Sequence, residues 1–257
     1  LRVGYVSGDF REHAVGFLLP AMLAGHDKQA FELYGYDFSP EDGTAHRERL
    51  KKAFDHLRPI HALTDRQVAE QVLADEIDVL IDLHGLSSGA RPGIFALHPA
   101  PKQGTYLGFI GTTGMPWFDF VIADRHVLPE ELTPYFTEKP LYVDGSFIPL
   151  VRDETPVREA TRAEFGLPED AFVMAAFGNV YKITEQMFNV WLDILKDAPN
   201  SVLWLMDDNT TTTNQLKSYA LQKGFDLNRI IFTGRAAHSE YLAKLRLADV
   251  FLDNYPY

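Results

Sequence analysis

Short apolar runs alternate along this chain with segments in which apolar residues recur every three or four positions. The first feature is typical of buried strands and the second of amphipathic helices. In the first half, strands are predicted at residues 1–7, 31–36, 56–60, 79–83, 118–123 and 141–143. Helices are predicted there at residues 15–23, 45–54, 66–74 and in a short segment that ends at Leu97. This alternation predicts an α/β fold with a mostly parallel sheet covered by helices on both faces.

The alternation lapses once, between residues 144 and 161. Gly145, two prolines and several charged residues fall within this stretch, which predicts a linker. We therefore predict two Rossmann-like domains, an N-terminal one at 1–150 and a C-terminal one at 151–257. In the C-terminal domain, strands are predicted at residues 172–177, 202–206, 229–232 and 250–252, and helices at 185–196, 213–223 and 239–248.

The strand at 172–177 and the helix that follows it form the clearest pair of elements in the second half. The strand is apolar at every position, which predicts burial on both faces. Thr184 is a favourable N-cap for the helix. The predicted buried face of this helix consists of Met187, Trp191, Ile194 and Leu195.

Composition narrows the class of protein. The chain carries 24 Lys and Arg against 36 Asp and Glu, a net charge of −12, which argues against a general nucleic-acid or membrane surface. No apolar run approaches the roughly 18 residues expected of a membrane span. The chain has no cysteine, which excludes disulfides and cysteine-ligated metals and agrees with a reducing compartment. We predict a cytoplasmic protein.

Two strand–helix junctions carry polar side chains at the carboxyl ends of strands, where α/β proteins bind ligands. After the first strand come Asp9 and His13, a pair suited to acid–base chemistry or to orienting a hydroxyl. After the strand at 172–177 come Asn179 and Lys182, and a lysine beside a helix N-terminus favours an anion. On spacing alone, a capping aspartate beside a solvated histidine and an exposed loop lysine would explain the same residues.

Other segments carry weaker signals. Asp82 and His84 end a predicted strand and are candidates for catalysis, although a histidine at a strand end is more often a structural hydrogen-bonding residue. Three glycines between residues 108 and 114 allow close approach of a ligand to the backbone, although their spacing fits neither a dinucleotide fingerprint nor a Walker A loop. Asp207 and Asp208 look like an acidic metal site, but the chain has no D-x-D triplet. We interpret these two residues as a strand-exit turn.

Two Rossmann-like domains are compatible with a nucleotide-sugar glycosyltransferase, a sugar epimerase or a hinge-closing binding protein. Motifs that run through nearly the whole chain carry further information. In the first half they are Arg2-Val3-Gly4-Tyr5-Val6-Ser7-x-Asp9-Phe10-x-x-His13, Ser39-Pro40-x-Asp42-Gly43-Thr44, Gly89-Ala90-Arg91, Pro99-Ala100-Pro101 and Leu107-Gly108-x-x-Gly111-Thr112-x-Gly114. In the second half they are Tyr181-Lys182-Ile183, Pro199-Asn200-Ser201-Val202-Leu203-Trp204-Leu205 and Leu247-Ala248-Asp249-Val250-x-Leu252-Asp253. In this order they resemble the catalytic region of the O-linked N-acetylglucosaminyltransferases, glycosyltransferase family 41, in a compact bacterial-type form.

The resemblance implies a GT-B fold, in which two Rossmann-like domains face each other across a cleft, with the second one truncated at its C-terminus. It implies an inverting enzyme that moves N-acetylglucosamine from UDP-GlcNAc to Ser or Thr hydroxyls of proteins without a metal or other cofactor. It also implies a longer polypeptide, with a tetratricopeptide (TPR) region before Leu1 and a diphosphate loop beyond Tyr257, so we expect residues 1–257 to be inactive alone. Two alternatives stay open: a SPINDLY-like protein O-fucosyltransferase that uses GDP-fucose, and a non-catalytic sugar- or nucleotide-binding module.

The resemblance also implies roles for individual residues. Asp9 and His13 match acid–base candidates beside the sugar and acceptor, and Lys182 matches a lysine on the diphosphate, where it would stabilise the leaving group. The implied nucleotide-sugar-binding residues are Leu107, Gly108, Asn179, Tyr181, Ala236, His238, Tyr241 and Lys244. Four of these differ from the family pattern, since Asn179 replaces a glutamine, His238 a lysine, Tyr241 a histidine and Lys244 an arginine. The general base stays open among Asp9, His13, a water chain and the substrate's own phosphate.

Overall fold

The computed structural model describes residues 1–150 and 157–255. The chain divides into two compact units, Leu1–Arg152 and Asp153–Tyr257. The predicted linker at 144–161 includes residues 151–156, which lie outside the described residues, as does the start of the predicted second domain. Both units combine parallel strands with flanking helices, so the predicted α/β class is confirmed.

The first unit is built on a seven-stranded parallel sheet. Its strands are β1 Arg2–Ser7, β2 Glu32–Asp37, β3 His56–Pro59, β4 Val79–Asp82, β5 Lys102–Thr105, β6 Phe120–Ala123 and β7 Lys139–Tyr142. Its helices are α1 Ala14–Ala24, α2 Ala45–Ala53, α3 Asp65–Ala74 and the short α4 Pro92–Phe95. The strand order is β3-β2-β1-β4-β5-β6-β7. The order reverses between β1 and β4, and the crevice outside such a point is where open α/β sheets bind ligands.

Helices cover both faces of this sheet because successive strand side chains point to opposite sides. On one face Tyr5 belongs to a buried cluster with Leu19 of α1. On the other face Val6 belongs to a buried cluster with Val68 of α3. The exit of β1 is therefore held rigidly between two packed layers.

The second unit contains a four-stranded parallel sheet in the described residues. Its strands are β8 Phe172–Ala176, β9 Ser201–Asp207, β10 Ile230–Gly234 and β11 Val250–Phe251. Its helices are α5 Glu185–Asp197, α6 Thr210–Gln222 and α7 His238–Leu245. The strand order is β10-β9-β8-β11, so the reversal falls between β8 and β11. None of the helices in the described parts of either unit is long and apolar enough to cross a membrane.

The predicted N-cap of α5 is confirmed, because the Thr184 side chain accepts a hydrogen bond from the Met187 N–H. Two burial predictions are wrong. Phe172 is 50% exposed because it begins β8 at the rim of the sheet, and Ile194 is 38% exposed. The buried residues of α5 are Phe188, Trp191, Leu192 and Leu195. The apolar stripe is therefore rotated around the helix relative to the predicted one.

Candidate functional site

The predicted pair Asp9 and His13 lies together at the exit of β1. Asp9 Oδ2 is 3.4 Å from His13 Nδ1. His13 is the N-cap of α1, and its Nδ1 accepts the Val15 N–H at 3.3 Å. Asp9 is buried, whereas the His13 side chain is 40% exposed. The junction thus places a partly exposed imidazole in contact with a largely buried carboxylate.

A third side chain reaches this pair from β4. His84 Nε2 is 3.4 Å from the same oxygen of Asp9 and accepts the Gly8 N–H at 2.9 Å. Burial lowers the pKa of His84, and the negative charge of Asp9 opposes that effect. The sequence left two interpretations of His84 open, a catalytic residue and a structural hydrogen-bonding residue at a strand end. Its contact with Asp9 depends on the adjacency of β1 and β4, which the sequence pattern did not reveal.

Hydrogen bonds from three directions fix the loop that carries Asp9. Ser7 Oγ accepts the Asp9 N–H at 2.9 Å, and Ser39 Oγ accepts the Phe10 N–H at 2.8 Å. The buried guanidinium of Arg47 donates to the Phe10 carbonyl oxygen at 2.7 Å. The backbone position of Asp9 is therefore set by residues on β1, after β2 and on α2.

The motif at residues 39–44 explains part of this arrangement. Asp42 accepts the Glu12 N–H at 3.0 Å and both the N–H and the hydroxyl of Thr44. Desolvation works against ionisation, but these hydrogen bonds prevail and lower the pKa of Asp42 to about 2. Gly43 has φ +68°, which is readily adopted by glycine. The motif thus joins the Asp9 loop to the start of α2.

Leu107 and Gly108 lie directly after β5, beside the exit of β4. Leu107 has φ 71°, and a Cβ on Gly108 would lie 1.9 Å from the carbonyl oxygen of Leu83. Only glycine fits this close approach. The glycine-rich segment that follows is anchored by the buried carboxylate of Glu138, which accepts the Thr113 N–H at 2.8 Å.

In the second unit, Asn179, Tyr181 and Lys182 lie between β8 and α5. Residues Val180–Lys182 form a 3₁₀ turn, closed by a hydrogen bond of 2.9 Å from the Lys182 N–H to the Asn179 carbonyl oxygen. Lys182 is half-buried, and Tyr181 is 78% exposed. The predicted junction therefore exists, with an additional turn between the strand and the N-cap of α5.

Contacts link this junction to the exits of the other three strands of the sheet. Arg235, after β10, donates to Asn179 Oδ1 at 2.9 Å and also pairs with Asp208 after β9. A Cβ on Gly178 would lie 2.5 Å from Nδ2 of Asn254, which follows β11. Arg235 was not among the predicted site residues. The strand-exit turn predicted at Asp208 would have identified it only if the pairing of β9 with β10 had been known.

The remaining predicted residues lie before or on α7. Ala236 is exposed, and His238 and Tyr241 are half-buried. The Tyr241 ring packs against Phe177, with centroids 6.0 Å apart. Lys244 is 5% exposed, and its Nζ donates to the carbonyl oxygen of the last residue of β10 at 2.7 Å. Burial lowers the pKa of Lys244. Nucleotide binding by these residues stays a prediction.

Each unit offers distinct chemistry at its strand exits. The first has a carboxylate between two imidazoles, which suits holding a proton or orienting a hydroxyl. The second has an ammonium and an amide beside a helix N-terminus, which suits an anion. Within residues 1–150 and 157–255, no group of three or more His, Asp or Glu side chains is arranged to hold a metal ion. The predicted independence of metal is untested.

Comparison with known proteins identifies relatives of the whole chain. A model of glycosyl transferase family 41 matches residues 1–156 and 151–256. The probable UDP-N-acetylglucosamine–peptide N-acetylglucosaminyltransferase SEC of Arabidopsis thaliana is 35% identical over 261 residues, which cover 98% of this chain and 26% of that protein. The corresponding probable enzyme SPINDLY of Solanum lycopersicum is 25% identical over 264 residues, with 100% and 28% covered. The chain thus spans about a quarter of the length of these curated relatives.

A solved structure gives the same result. A mutant O-GlcNAc transferase of Thermobaculum terrenum matches with a TM-score of 0.87 and 31% identity, over 100% of this chain and 49% of that chain. This match confirms the predicted GT-B type of α/β fold. From the family model, the relatives and the shared fold together, we conclude that the chain belongs to glycosyl transferase family 41.

Proposed function

We propose that this chain contains the catalytic region of an inverting enzyme that transfers N-acetylglucosamine from UDP-GlcNAc to Ser or Thr hydroxyls of proteins. The strongest support is family membership along the whole chain, combined with two strand-exit clusters that carry the charges this reaction needs. The SEC relative is named as a probable enzyme that transfers N-acetylglucosamine from UDP-N-acetylglucosamine to a peptide.

The acceptor side of the reaction is assigned to the cluster at β1 and β4. The acceptor hydroxyl oxygen attacks C1 of the sugar, and its proton must leave as the new bond forms. Asp9 and His13 lie in contact, with Asp9 fixed and His13 partly open to solvent. In our proposal this pair orients the hydroxyl, and the proton passes to the pair, to water or to the leaving phosphate.

The leaving-group side is assigned to the junction after β8. The bond between C1 and the diphosphate oxygen breaks, and the UDP group takes the electron pair. Lys182 and the N-terminus of α5 are suited to stabilise the charge that develops there, without a metal ion in our proposal. Asn179 is held by Arg235 beside this lysine, and Tyr241 offers an aromatic ring for the uracil.

Thermal unfolding of the full-length gene product with UDP, GDP or free N-acetylglucosamine, each with EDTA, tests the donor assignment. A ligand at about 100 times its Kd stabilises the folded protein by about 2.7 kcal/mol. We expect UDP to raise the melting temperature more than GDP, with no effect of EDTA. Selective stabilisation by GDP would favour the fucosyltransferase alternative. Stabilisation by the sugar alone would favour a non-catalytic module.

A further inference from the structure

His84 makes two contacts through one nitrogen atom. Its Nε2 accepts the Gly8 N–H at 2.9 Å and lies 3.4 Å from Asp9 Oδ2. Because an accepting nitrogen carries no proton, the neutral ring has its proton on Nδ1, which lies 3.1 Å from Ser87 Oγ. The neutral form of His84 is therefore the form that holds the backbone immediately before Asp9.

The imidazole has little freedom to leave this position. The His84 side chain is 5% exposed, and its ring packs against Phe38 with centroids 5.3 Å apart. Gly8 also lies against the Phe38 ring, since a Cβ there would lie 2.7 Å from Phe38 Cε2. Gly8 and His84 are thus both fixed against one aromatic side chain, and their hydrogen bond has a defined geometry.

We propose that His84 is a positioning residue for Asp9, active only while its ring is neutral. A proton taken from solvent onto Nε2 removes the lone pair that accepts the Gly8 N–H. The new N–H then donates to Asp9 Oδ2, which is already 3.4 Å away. No covalent bond changes other than the one to that proton. Protonation therefore breaks the hydrogen bond from Gly8 to His84 that holds the loop. In its place an ion pair between His84 and Asp9 forms, which moves the Asp9 carboxylate away from His13.

The charges that face His84 come from two elements. The loop after β1 brings Asp9, which favours the protonated ring, and Arg11 and His13, which disfavour it. From the end of β4, the carboxylate of Asp82 accepts the His84 N–H at 3.0 Å. Burial has a larger effect on the pKa of His84 than any of these charges, and it lowers this pKa. The ring is consequently neutral at neutral pH and takes up its proton only on acidification.

The consequence for catalysis rests on the proposed function, in which Asp9 orients the acceptor. Displacement of Asp9 should lower kcat/KM for the peptide acceptor on the acidic side of the pH profile. Binding of UDP, assigned to the second unit, should not change. The acidic limb is the part of the pH profile in which kcat/KM falls as the pH is lowered. Replacing a histidine with a merely structural role would change the stability of the protein without selectively shifting this limb.

The test compares His84→Gln, His84→Ala and the control His56→Gln in the full-length gene product. Each is made in the wild type and in an Asp82→Asn background, because burial raises the pKa of the neighbouring Asp82 to about 6 and its titration must be separated from that of His84. Glutamine provides an oxygen that can accept the Gly8 N–H but does not titrate. His56 begins β3 at the other end of the strands, where it pairs with Glu32. Acceptor kcat/KM is measured from about pH 5 to 8, and exchange of the Gly8 amide, corrected for the intrinsic rate, is followed over the same range by NMR.

We expect His84→Gln to keep most of the activity at neutral pH and to lose the acidic limb, which His56→Gln retains. His84→Ala should lose roughly 3- to 10-fold at neutral pH, the value of one hydrogen bond. The Gly8 amide should lose protection on acidification in the wild type but not in His84→Gln. An unchanged acidic limb in His84→Gln, or pH-independent Gly8 protection in the wild type, would overturn the proposal. The exchange experiment needs no activity, so failure of the proposed function is seen separately, as absence of transfer at every pH.

Discussion

Replacement of Arg47 by alanine should destabilise the first unit far more than the loss of an exposed arginine. The Arg47 side chain is 6% exposed and its partner Asp37 is 4% exposed, with Nη2 and Oδ2 3.0 Å apart. The same guanidinium donates to the Phe10 carbonyl oxygen at 2.7 Å and to the exposed carboxylate of Glu41. One side chain therefore joins α2, the exit of β2 and the loop that carries Asp9.

The expected magnitude follows from what alanine leaves behind. The Asp37 carboxylate would stay buried with the Ser39 N–H at 2.8 Å but without its cation, and the Phe10 carbonyl would lose its donor. Breaking a buried ion pair by removing one partner costs about 3–5 kcal/mol. The pair of Arg125 with Glu130 has both side chains more than half exposed, and such pairs contribute about 0–1 kcal/mol.

Hydrogen exchange of the β1 and β2 amides measures this difference within the first unit alone. Arg47→Ala should accelerate their exchange roughly 10²- to 10⁴-fold, and the control Arg125→Ala less than about 5-fold. The double variant Arg47→Met with Asp37→Asn should recover part of the lost stability, because it removes the buried negative charge of Asp37 that Arg47→Ala leaves without a cation. Equal effects of Arg47→Ala and Arg125→Ala would refute the assignment of a buried anchoring pair.

Substitutions at three further positions test separate parts of the structure. Lys182→Ala should lower turnover by about 10²–10³-fold through loss of a charged donor to the leaving group, and Lys182→Arg should not restore it fully. Gly108→Ala should lower the melting temperature and raise the donor KM, because its Cβ would lie 1.9 Å from the Leu83 carbonyl oxygen. Burial raises the pKa of Asp82 to about 6, so protonation of this group should stabilise the fold as the pH falls through 6 towards the ordinary value of 3.8. Asp82→Asn should remove that gain of up to about 3 kcal/mol, measured by urea unfolding across this range.

Each of these expectations has a clear contrary result. Turnover of Lys182→Ala within about threefold of wild type would identify an ordinary surface lysine, given the hundredfold loss expected of a leaving-group donor. A fully stable and active Gly108→Ala would show that the exit of β5 adapts to a side chain. A wild-type and an Asp82→Asn protein with parallel pH profiles of unfolding would show that Asp82 does not titrate near 6.

Most elements in both units followed from hydrophobic spacing, because buried strands and helix stripes leave a strong periodic signal. The strand β5 was missed, because its sequence Lys-Gln-Gly-Thr carries no apolar run. Junction residues were also accessible, since ligand-binding positions in α/β proteins recur at the carboxyl ends of strands. Burial within one helix was less predictable. Apolar residues cover a wide arc of α5, so more than one face of the helix fits the helical spacing. The sequence favoured the face with Ile194, whereas the structure buries the face with Phe188 and Leu192.

Contacts between distant parts of the chain were not predictable from local pattern. His84 meets Asp9 only because β4 lies beside β1, and Arg235 meets Asn179 only because β10, β9 and β8 end at the same edge of one parallel sheet. The contact made by Lys244 was also not predicted. The resemblance assigned this residue to the nucleotide, whereas in the structure its buried ammonium donates to a backbone carbonyl oxygen.

The central claim is transfer of N-acetylglucosamine from UDP-GlcNAc to a protein hydroxyl by an enzyme that contains this chain. The most direct measurement incubates the full-length gene product with Ser- and Thr-containing acceptor peptides and an equimolar mixture of UDP-GlcNAc and GDP-fucose, with EDTA present. Mass spectrometry then identifies the sugar and the modified residue, with Lys182→Ala as the control. We predict an N-acetylhexosamine on Ser or Thr that is lost in the control. Fucose on the peptide, or no sugar at all from an enzyme that is folded and binds UDP, would contradict this assignment.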